Sequence, residues 1–168
     1  MRPFEHYNAR TIKEAVKILL RYKGSAKVNA GGTDLISAMK NRCLKEYPAA
    51  VVNIKTIPNL NYIKTNKKFI RIGALTKLSD IVESPEIKKH CRLLSEAART
   101  IASPNVRNMA TIAGNLAQDV RCWYYRYPHQ VGGTIKCLRK GGTLCNALLG
   151  ENRYHSIFGA APLEIYPC

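Results

Sequence analysis

The sequence contains no long apolar run. No stretch approaches the roughly 20 consecutive apolar residues that a membrane-spanning helix needs. Residues 1–6 also lack the apolar core of a secretory signal peptide. We therefore expect a soluble, cytoplasmic protein without a membrane span.

Acidic residues are scarce: 11 Asp and Glu stand against 27 Lys and Arg, which gives a net charge of +16. Such an excess raises nucleic acid as a partner. However, the basic residues are scattered, and the chain has neither an RNP-type aromatic sequence nor zinc-finger spacing. We expect that nucleic acid is not the main partner. A bound dinucleotide and acidic partner subunits would neutralise part of the positive charge.

The first third of the chain alternates helix and strand patterns. Thr11 and Glu14 form a capping box before apolar residues at helical spacing, which predicts a helix ending near Gly24. A strand over 27–30, a helix over 35–41 and a strand over 50–54 follow. This alternation predicts a small lobe with a parallel sheet over residues 1–57.

The pattern changes over residues 58–120, which we assign to a second lobe. Strands are predicted at Ile63 and over 69–72, joined as a hairpin by a turn at 66–68, and a short helix capped by Thr76 follows. Another helix, or a pair, starts at Ser84 and continues to about residue 102. Two cysteines in helix-like segments, Cys43 in the first lobe and Cys91 in the second, are predicted to be core residues.

A glycine loop (residues 31–34, hereafter the first loop) lies between a predicted strand and a predicted helix. Gly31 and Gly32 permit backbone conformations closed to other residues and leave room for a ligand. Thr33 adds a hydroxyl, and the following amides suit a phosphate. Neither a Walker motif nor the Rossmann fingerprint is present. Alone, this pattern favours a tight turn over a ligand site.

A second loop (residues 111–115) again places a small pair, Ala113 and Gly114, between apolar and polar neighbours. Two such loops from separate lobes would grip one pyrophosphate from both sides. The two patterns together favour a dinucleotide site more strongly than either does alone.

Several motifs in order resemble the FAD-binding medium subunit or domain of molybdenum hydroxylases, which include xanthine dehydrogenase, aerobic carbon monoxide dehydrogenase and 4-hydroxybenzoyl-CoA reductase. The resemblance covers most of the chain. It comprises Phe4 and Tyr7, Glu14 and Ala15, and the motifs AGGTDL at 30–35, IGALT at 72–76, VRNMATIAGN at 106–115 and ENRYH at 151–155.

The resemblance implies an α+β fold of two lobes, a small N-terminal βαβ lobe and a larger mixed α/β lobe, with FAD in the cleft. It places the pyrophosphate against both loops and lets two further residues line the flavin or its chain. The implied FAD-binding residues are Ala30, Gly31, Gly32, Thr33, Asp34, Leu35, Leu75, Ala110, Thr111, Gly114 and Asn115.

Two features depart from that family. Its members usually have Gly-Gly where this chain has Ala113 and Gly114, so either FAD binds more weakly or Ala113 occupies a tolerant position. The C-terminal domain that usually follows is missing, which leads us to expect a fragment or module of a longer protein.

Cysteines crowd the last part of the chain, residues 121–168, hereafter the cysteine segment. Cys122, Cys137 and Cys145 alternate with glycine pairs, a composition that suits an iron–sulfur site. Spacing alone leaves open three reduced cysteines in a loop. The resemblance to the 4-hydroxybenzoyl-CoA reductase branch implies a [4Fe–4S] cluster on these three residues. We take Cys168 as the fourth ligand, with His155 and Tyr154 as alternatives.

These observations predict a redox module that relays electrons between FAD, the cluster and partner subunits or domains bearing molybdenum or iron–sulfur centres. A nicotinamide or ferredoxin-type carrier is a further candidate partner. No catalytic acid, base or nucleophile is required of this chain. The alternative is a non-enzymatic basic binding module, either for nucleic acid or stabilised by zinc. A third interpretation is a flavin fold that has lost its cofactor.

Overall fold

The structure is a computed structural model, and it describes residues 1–133 and 135–155. The chain divides into two compact units. The larger unit comprises residues 3–36 and 48–118. The smaller unit comprises residues 1–2, 37–47 and the chain from 119 onward. The two units are described separately below.

The larger unit begins with a three-stranded parallel sheet and one capped helix. The strands are β1 (Glu5–Asn8), β2 (Ala26–Asn29) and β3 (Ala50–Asn53), in the order β1-β3-β2. β3 is buried at every position because it has a neighbour on both sides, as its apolar composition predicts. Helix α1 (Ile12–Arg21) follows β1 and contributes Ala15 to the core beside the sheet.

The predicted cap of α1 is confirmed. The Thr11 hydroxyl accepts a hydrogen bond from the Glu14 amide at 3.1 Å. The Glu14 carboxylate accepts from the Arg10 amide at 2.7 Å, one residue before the Thr11 amide that a full capping box would use. The Thr11 bond satisfies an amide that the first helical turn leaves without a partner, which favours the start of a helix here.

A second core follows in the same unit. The antiparallel strands β4 (Ile63–Thr65) and β5 (Ile70–Ile72) form the predicted hairpin. Apolar residues from the helices after it pack together: Leu78, Ile81, Val82, Ile87 and Ala98. Helix α2 (Leu35–Lys40) lies between β2 and β3 in the chain. The helices after the hairpin are α3 (Leu78–Glu83), α4 (Pro85–His90), α5 (Arg92–Thr100), α6 (Pro104–Arg107) and α7 (Ile112–Leu116).

Two local predictions in this region are wrong. Thr76 does not cap α3. Its hydroxyl is buried, donates to the Tyr62 carbonyl at 3.0 Å and accepts from the Tyr62 amide at 3.2 Å, so it fixes the chain after the hairpin instead. Cys91 is not a core residue. It lies at the junction where α4 ends and α5 begins, and its side chain is exposed. Cys43, by contrast, is buried as predicted.

The smaller unit contains the short helices α8 (His129–Gly132) and α9 (Asn146–Leu149) and a 3₁₀ helix at Leu138–Lys140. Its core consists of Cys122, Tyr125, Cys137 and Ala147. Mixed α/β structure with a parallel and an antiparallel sheet agrees with the predicted α+β class. None of the helices in the described ranges is long and apolar enough to cross a membrane.

Candidate functional site

The first loop packs directly against the backbone that leads into the second loop. A Cβ atom added to Gly31 would lie 2.3 Å from the Met109 carbonyl oxygen and 2.9 Å from the Ala110 Cα. No side chain larger than hydrogen fits between two backbones at that distance. Glycine at this position therefore lets the two loops, which are far apart in sequence, come into contact.

Gly32 has a different requirement for glycine. Its φ is +77°, in the left-handed region that side chains disfavour. A Cβ here would also approach the Asn29 side-chain oxygen to 3.0 Å. The turn at Gly32 connects β2 to α2. The Ile36 amide, near the start of α2, donates to the Gly32 carbonyl.

The second loop begins with a cap. The Thr111 hydroxyl accepts a hydrogen bond from the Gly114 amide at 3.2 Å, and the Asn115 amide donates to the Thr111 carbonyl. A Cβ at Gly114 would lie 3.9 Å from the Ala30 Cβ. Gly114 therefore faces the residue that precedes the first loop, and both loops border one region of the larger unit.

Ala113 occupies a tolerant position. It lies inside α7 and is absent from the residues with positive φ. A helical φ is open to alanine, so the methyl group imposes no backbone strain at the position where the resemblance implies glycine. The departure at this residue is therefore compatible with an intact second loop.

A third segment, residues 74–76, joins the second loop. The Ile112 amide donates to the Thr76 carbonyl at 2.9 Å, and the Ala113 amide donates to the Ala74 carbonyl at 3.3 Å. Leu75 lies between these two acceptors and is half-buried. The structure thus places every predicted FAD residue on one of three connected segments of the larger unit.

Sequence reasoning missed Asn29. Its side-chain oxygen is buried and accepts no hydrogen bond from the described part of the chain. An acceptor in that state costs free energy unless water or a ligand donates to it. The signal was present in the sequence, since Asn29 is a polar residue in a short predicted strand, two positions before the first loop.

In the smaller unit, three of the predicted cluster ligands line one small cavity. Cys122, Cys137 and Cys145 surround it together with Tyr124 and Tyr125. The loop after Cys137 is closed by its own backbone, because the Lys140 and Gly142 amides both donate to the Cys137 carbonyl. The sequence placed these cysteines far apart, and the fold brings them together.

The cavity as it stands holds about one water molecule, with a volume of about 20 Å³. Within residues 1–133 and 135–155, no three His, Cys, Asp or Glu side chains are arranged to hold a metal ion. The cysteines of these ranges form no disulfide; they are Cys43, Cys91, Cys122, Cys137 and Cys145. Cys168 lies outside the described residues.

His155 packs against the aromatic residues that follow Cys122. Its ring centroid is 5.1 Å from that of Trp123 and 6.4 Å from that of Tyr124. Both ring nitrogens are buried and have no hydrogen-bond partner in the part of the chain that the structure describes. The ring is therefore held by packing, and its nitrogens are left available for a ligand or water.

The core of the smaller unit also alters two titratable groups. Burial, and then the hydrogen bond to Asp119, raises the pKa of Tyr125 above its ordinary value. Burial lowers the pKa of Lys140, whose ammonium lies 4.7 Å from the Tyr125 ring centroid. Both shifts follow from withdrawing the charged form from water.

The larger unit thus has the α+β structure and the two neighbouring glycine-bearing loops that the resemblance implies. A family model described as "FAD binding domain in molybdopterin dehydrogenase" matches residues 2–135. Because this match spans most of the sequence, the chain belongs to that family, whose domain binds FAD.

Individual relatives agree. The chain is 39% identical over 118 residues to the nicotinate dehydrogenase FAD-subunit of Eubacterium barkeri, covering 70% of this chain and 39% of that protein. It is 32% identical over 161 residues to the aldehyde oxidoreductase FAD-binding subunit of Escherichia coli, covering 96% and 48%. Carbon monoxide dehydrogenase from Hydrogenophaga pseudoflava has a similar structure, with a TM-score of 0.64, 37% identity and coverage of 69% and 40%. The chain thus spans less than half the length of these relatives.

Proposed function

We propose that this chain holds FAD with both loops of the larger unit and serves as the flavin module of a multi-component oxidoreductase. The observation that carries the proposal is the backbone contact between Gly31 and Met109, which brings two glycine-bearing loops to one place. The residues assigned to FAD are Ala30, Gly31, Gly32, Thr33, Asp34, Leu35, Leu75, Ala110, Thr111, Gly114 and Asn115.

The residues present fit a dinucleotide. Both loops present glycine, so no side chain blocks the approach of a diphosphate, although the amides of residues 112–115 already donate to acceptors within the chain. The buried Asn29 oxygen needs a donor, and a ribose or ribityl hydroxyl is a donor of suitable chemistry. When bound, FAD supplies hydride or single-electron exchange. The chain itself binds the cofactor, orients it and limits access of water.

The partners we propose are subunits or domains that carry molybdenum or iron–sulfur centres, with a nicotinamide or ferredoxin-type carrier as electron donor or acceptor. The matched proteins from E. barkeri and E. coli are both described as subunits. A flavin module without a substrate-oxidising centre of its own requires such a partner. The strongly basic charge of +16 suits partners with acidic surfaces.

Reconstitution with FAD tests the flavin assignment. The purified chain is mixed with FAD, freed of excess cofactor and examined for flavin absorption. We expect stoichiometric flavin in the native chain and at least about tenfold weaker binding in Gly31→Ala, whose new Cβ would force the loops apart. A native chain that retains no flavin would overturn the proposal.

Gly24→Ala is the matched control for that experiment. Gly24 has a positive φ, which Gly31 does not, but a Cβ there would have open space around it. The substitution strains one turn without touching either loop. Retention of flavin by Gly24→Ala and its loss in Gly31→Ala, with both variants folded by circular dichroism, would separate a binding effect from general instability.

We infer that Cys122, Cys137 and Cys145 hold a [4Fe–4S] cluster that passes electrons to or from the flavin, with Cys168 as fourth ligand. Thiolates are the ligands that such clusters use, and all three residues border one cavity. The alignment with the E. coli subunit covers 96% of this chain and so extends into the cysteine segment. The cavity must widen to admit a cluster.

Anaerobic reconstitution with iron and sulfide tests the cluster. We expect about four irons per chain, acid-labile sulfide and an electron paramagnetic resonance signal on reduction. Cys137→Ser should lose the signal, whereas the matched control Cys91→Ser, at an exposed cysteine of the larger unit, should retain it. If zinc is found without sulfide, the site holds a structural zinc and not an iron–sulfur cluster. A native chain that binds no metal would refute both the cluster and the zinc site.

The fourth ligand is decided by a second pair of variants. If Cys168 is the ligand, Cys168→Ser changes the spectrum of the reconstituted cluster and His155→Gln does not. The reverse result would assign the position to His155, whose buried ring nitrogens have no partner in the described ranges.

A further inference from the structure

The smaller unit contains a cleft whose lining residues are not among those assigned to either proposed cofactor. It has a volume of about 400 Å³, within the range of small-molecule sites. Its walls come from residues 37–43 on one side and residues 121–128 on the other, both parts of the smaller unit. The polar and aromatic residues that line it are Ser37, Asn41, Arg121, Trp123, Arg126 and Tyr127.

Two arginines line the cleft. They are Arg121 and Arg126, and none of the residues that the structure shows lining it carries a carboxylate. Arg126 is held in place: its Nε donates to the Val120 carbonyl and its Nη2 to the Asp119 carbonyl, both at 2.7 Å. These bonds fix a cation at the wall before any ligand arrives, which reduces the ordering cost of binding an anion.

An aromatic wall stands beside the two cations. Trp123 makes edge contacts with the rings of Tyr154 and His155, at centroid distances of 5.9 and 5.1 Å, so neighbouring rings hold its orientation. It nevertheless remains 38% exposed. An indole that is held by its neighbours and still open to solvent offers a surface for stacking a planar ring.

From this arrangement we propose that the cleft binds a small planar-ring anion, meaning an aromatic ring that carries a carboxylate or a phosphate. The ring would stack on Trp123 and Tyr127, and the anionic group would pair with Arg121 and Arg126. Asn41 supplies an amide for a further hydrogen bond. None of the residues that line the cleft is assigned to FAD or to the cluster, so the proposal does not depend on either cofactor assignment.

Trp123 makes the proposal directly testable, because it is the single tryptophan of the 168 residues. The full chain, saturated with FAD so that the flavin site is filled, is titrated with benzoate and with AMP while tryptophan emission and binding heat are recorded. We expect a saturable change with at least one of them. Benzoate alone would indicate a carboxylate ligand, and AMP alone would indicate a nucleoside phosphate.

Neutral and ring-free probes separate the two parts of the recognition. Benzamide and adenosine keep the ring but lose the charge, and inorganic phosphate keeps the charge but loses the ring. Each should bind at least about tenfold more weakly than its parent, as expected for loss of a charged hydrogen bond or a stacking contact. Equal binding of a parent and its neutral or ring-free form would overturn the proposal.

Arg121→Gln and Arg92→Gln form a matched pair of variants. Both remove one positive charge, but Arg92 lies in the larger unit, where it pairs with Glu96 on an exposed helix face. We expect Arg121→Gln to weaken binding about tenfold and Arg92→Gln to leave it unchanged. Equal weakening by both would show a response to net charge alone, and absence of any saturable signal from the native chain would equally sink the site.

Discussion

At the scale of single residues, backbone geometry explains why two loop positions require glycine and a third accepts alanine. Gly31 is required because another backbone occupies the space of its side chain, and Gly32 because of its φ of +77°. Ala113 meets neither condition, since it lies within α7 without a positive φ. Alanine at this position therefore imposes no backbone strain on the second loop.

Ala113→Gly tests that interpretation. We expect FAD affinity to stay within about twofold of the native value, because the alanine methyl group strains nothing. Stability should fall by about 0.5–1 kcal/mol, since glycine inside a helix loses more conformational freedom on folding. Flavin titration and urea unfolding measure the two quantities. A large gain in affinity would mean that the methyl group obstructs the cofactor.

Tyr125 gives a second prediction at this scale, on alkaline stability. Its pKa is raised in the folded protein, chiefly by burial and then by the bond to Asp119, whereas an unfolded tyrosine ionises near pH 10. Its contribution to stability is therefore fully present below about pH 10 and is lost as the pH rises through the folded pKa. We expect Tyr125→Phe to reduce the decline of stability above pH 10, measured by urea unfolding.

Tyr154→Phe is the comparison for that experiment. Tyr154 is 80% exposed, so its hydroxyl gains little from folding. The substitution should leave the alkaline decline as steep as in the native chain. If both variants flatten the decline equally, the buried hydroxyl of Tyr125 is not its source.

At the scale of elements, the same device starts two helices with different consequences. Thr11 caps α1 and Thr111 caps α7, in each case by accepting from the amide three residues later. Only the second helix belongs to a predicted cofactor loop. The capping hydroxyl of Thr111 therefore shapes the second loop as well as starting a helix.

Thr111→Ala and Thr11→Ala are expected to lower stability by a similar amount, about 1 kcal/mol each, because each removes one helix cap. Only Thr111→Ala should also weaken FAD binding, and Thr111→Ser should restore it because the hydroxyl is kept. Thermal unfolding and flavin titration of the three variants provide the comparison. Unchanged affinity in Thr111→Ala would exclude this residue from the flavin site.

At the scale of the whole molecule, the charge of +16 dominates. The ion pairs of Arg92 with Glu96 and of Arg153 with Glu151 are exposed, and such pairs offset little of the repulsion. Like charges repel one another in the compact state more than in the unfolded chain. Partner subunits with acidic surfaces would relieve this repulsion.

Salt should therefore stabilise the isolated chain. Raising KCl from about 20 to 300 mM shortens the screening length severalfold. We expect Tm to rise by about 3 °C, which corresponds to roughly 1 kcal/mol for a chain of this size. Thermal scans in KCl and in an uncharged osmolyte separate screening from general stabilisation. A Tm that falls with KCl would mean that attractive ion pairs outweigh the net repulsion.

The sequence alone determined the local features and the family. The Thr11 cap, the hairpin turn and the parallel sheet were predictable because each depends on residues a few positions apart or on an apolar period. The motifs around Gly31 and Gly114 also appear in the order that the family shares. These signals need no knowledge of what packs against what.

Only the tertiary structure decided which distant residues meet. It placed Gly31 against Met109 and left Cys91 exposed. It also showed that the Thr76 hydroxyl donates to the Tyr62 carbonyl and does not cap a helix. It also left the Asn29 oxygen buried and set Trp123 beside Arg126 in one cleft. The physical reason is that such contacts depend on how whole elements pack, and short-range propensities do not encode the choice of partner across the chain.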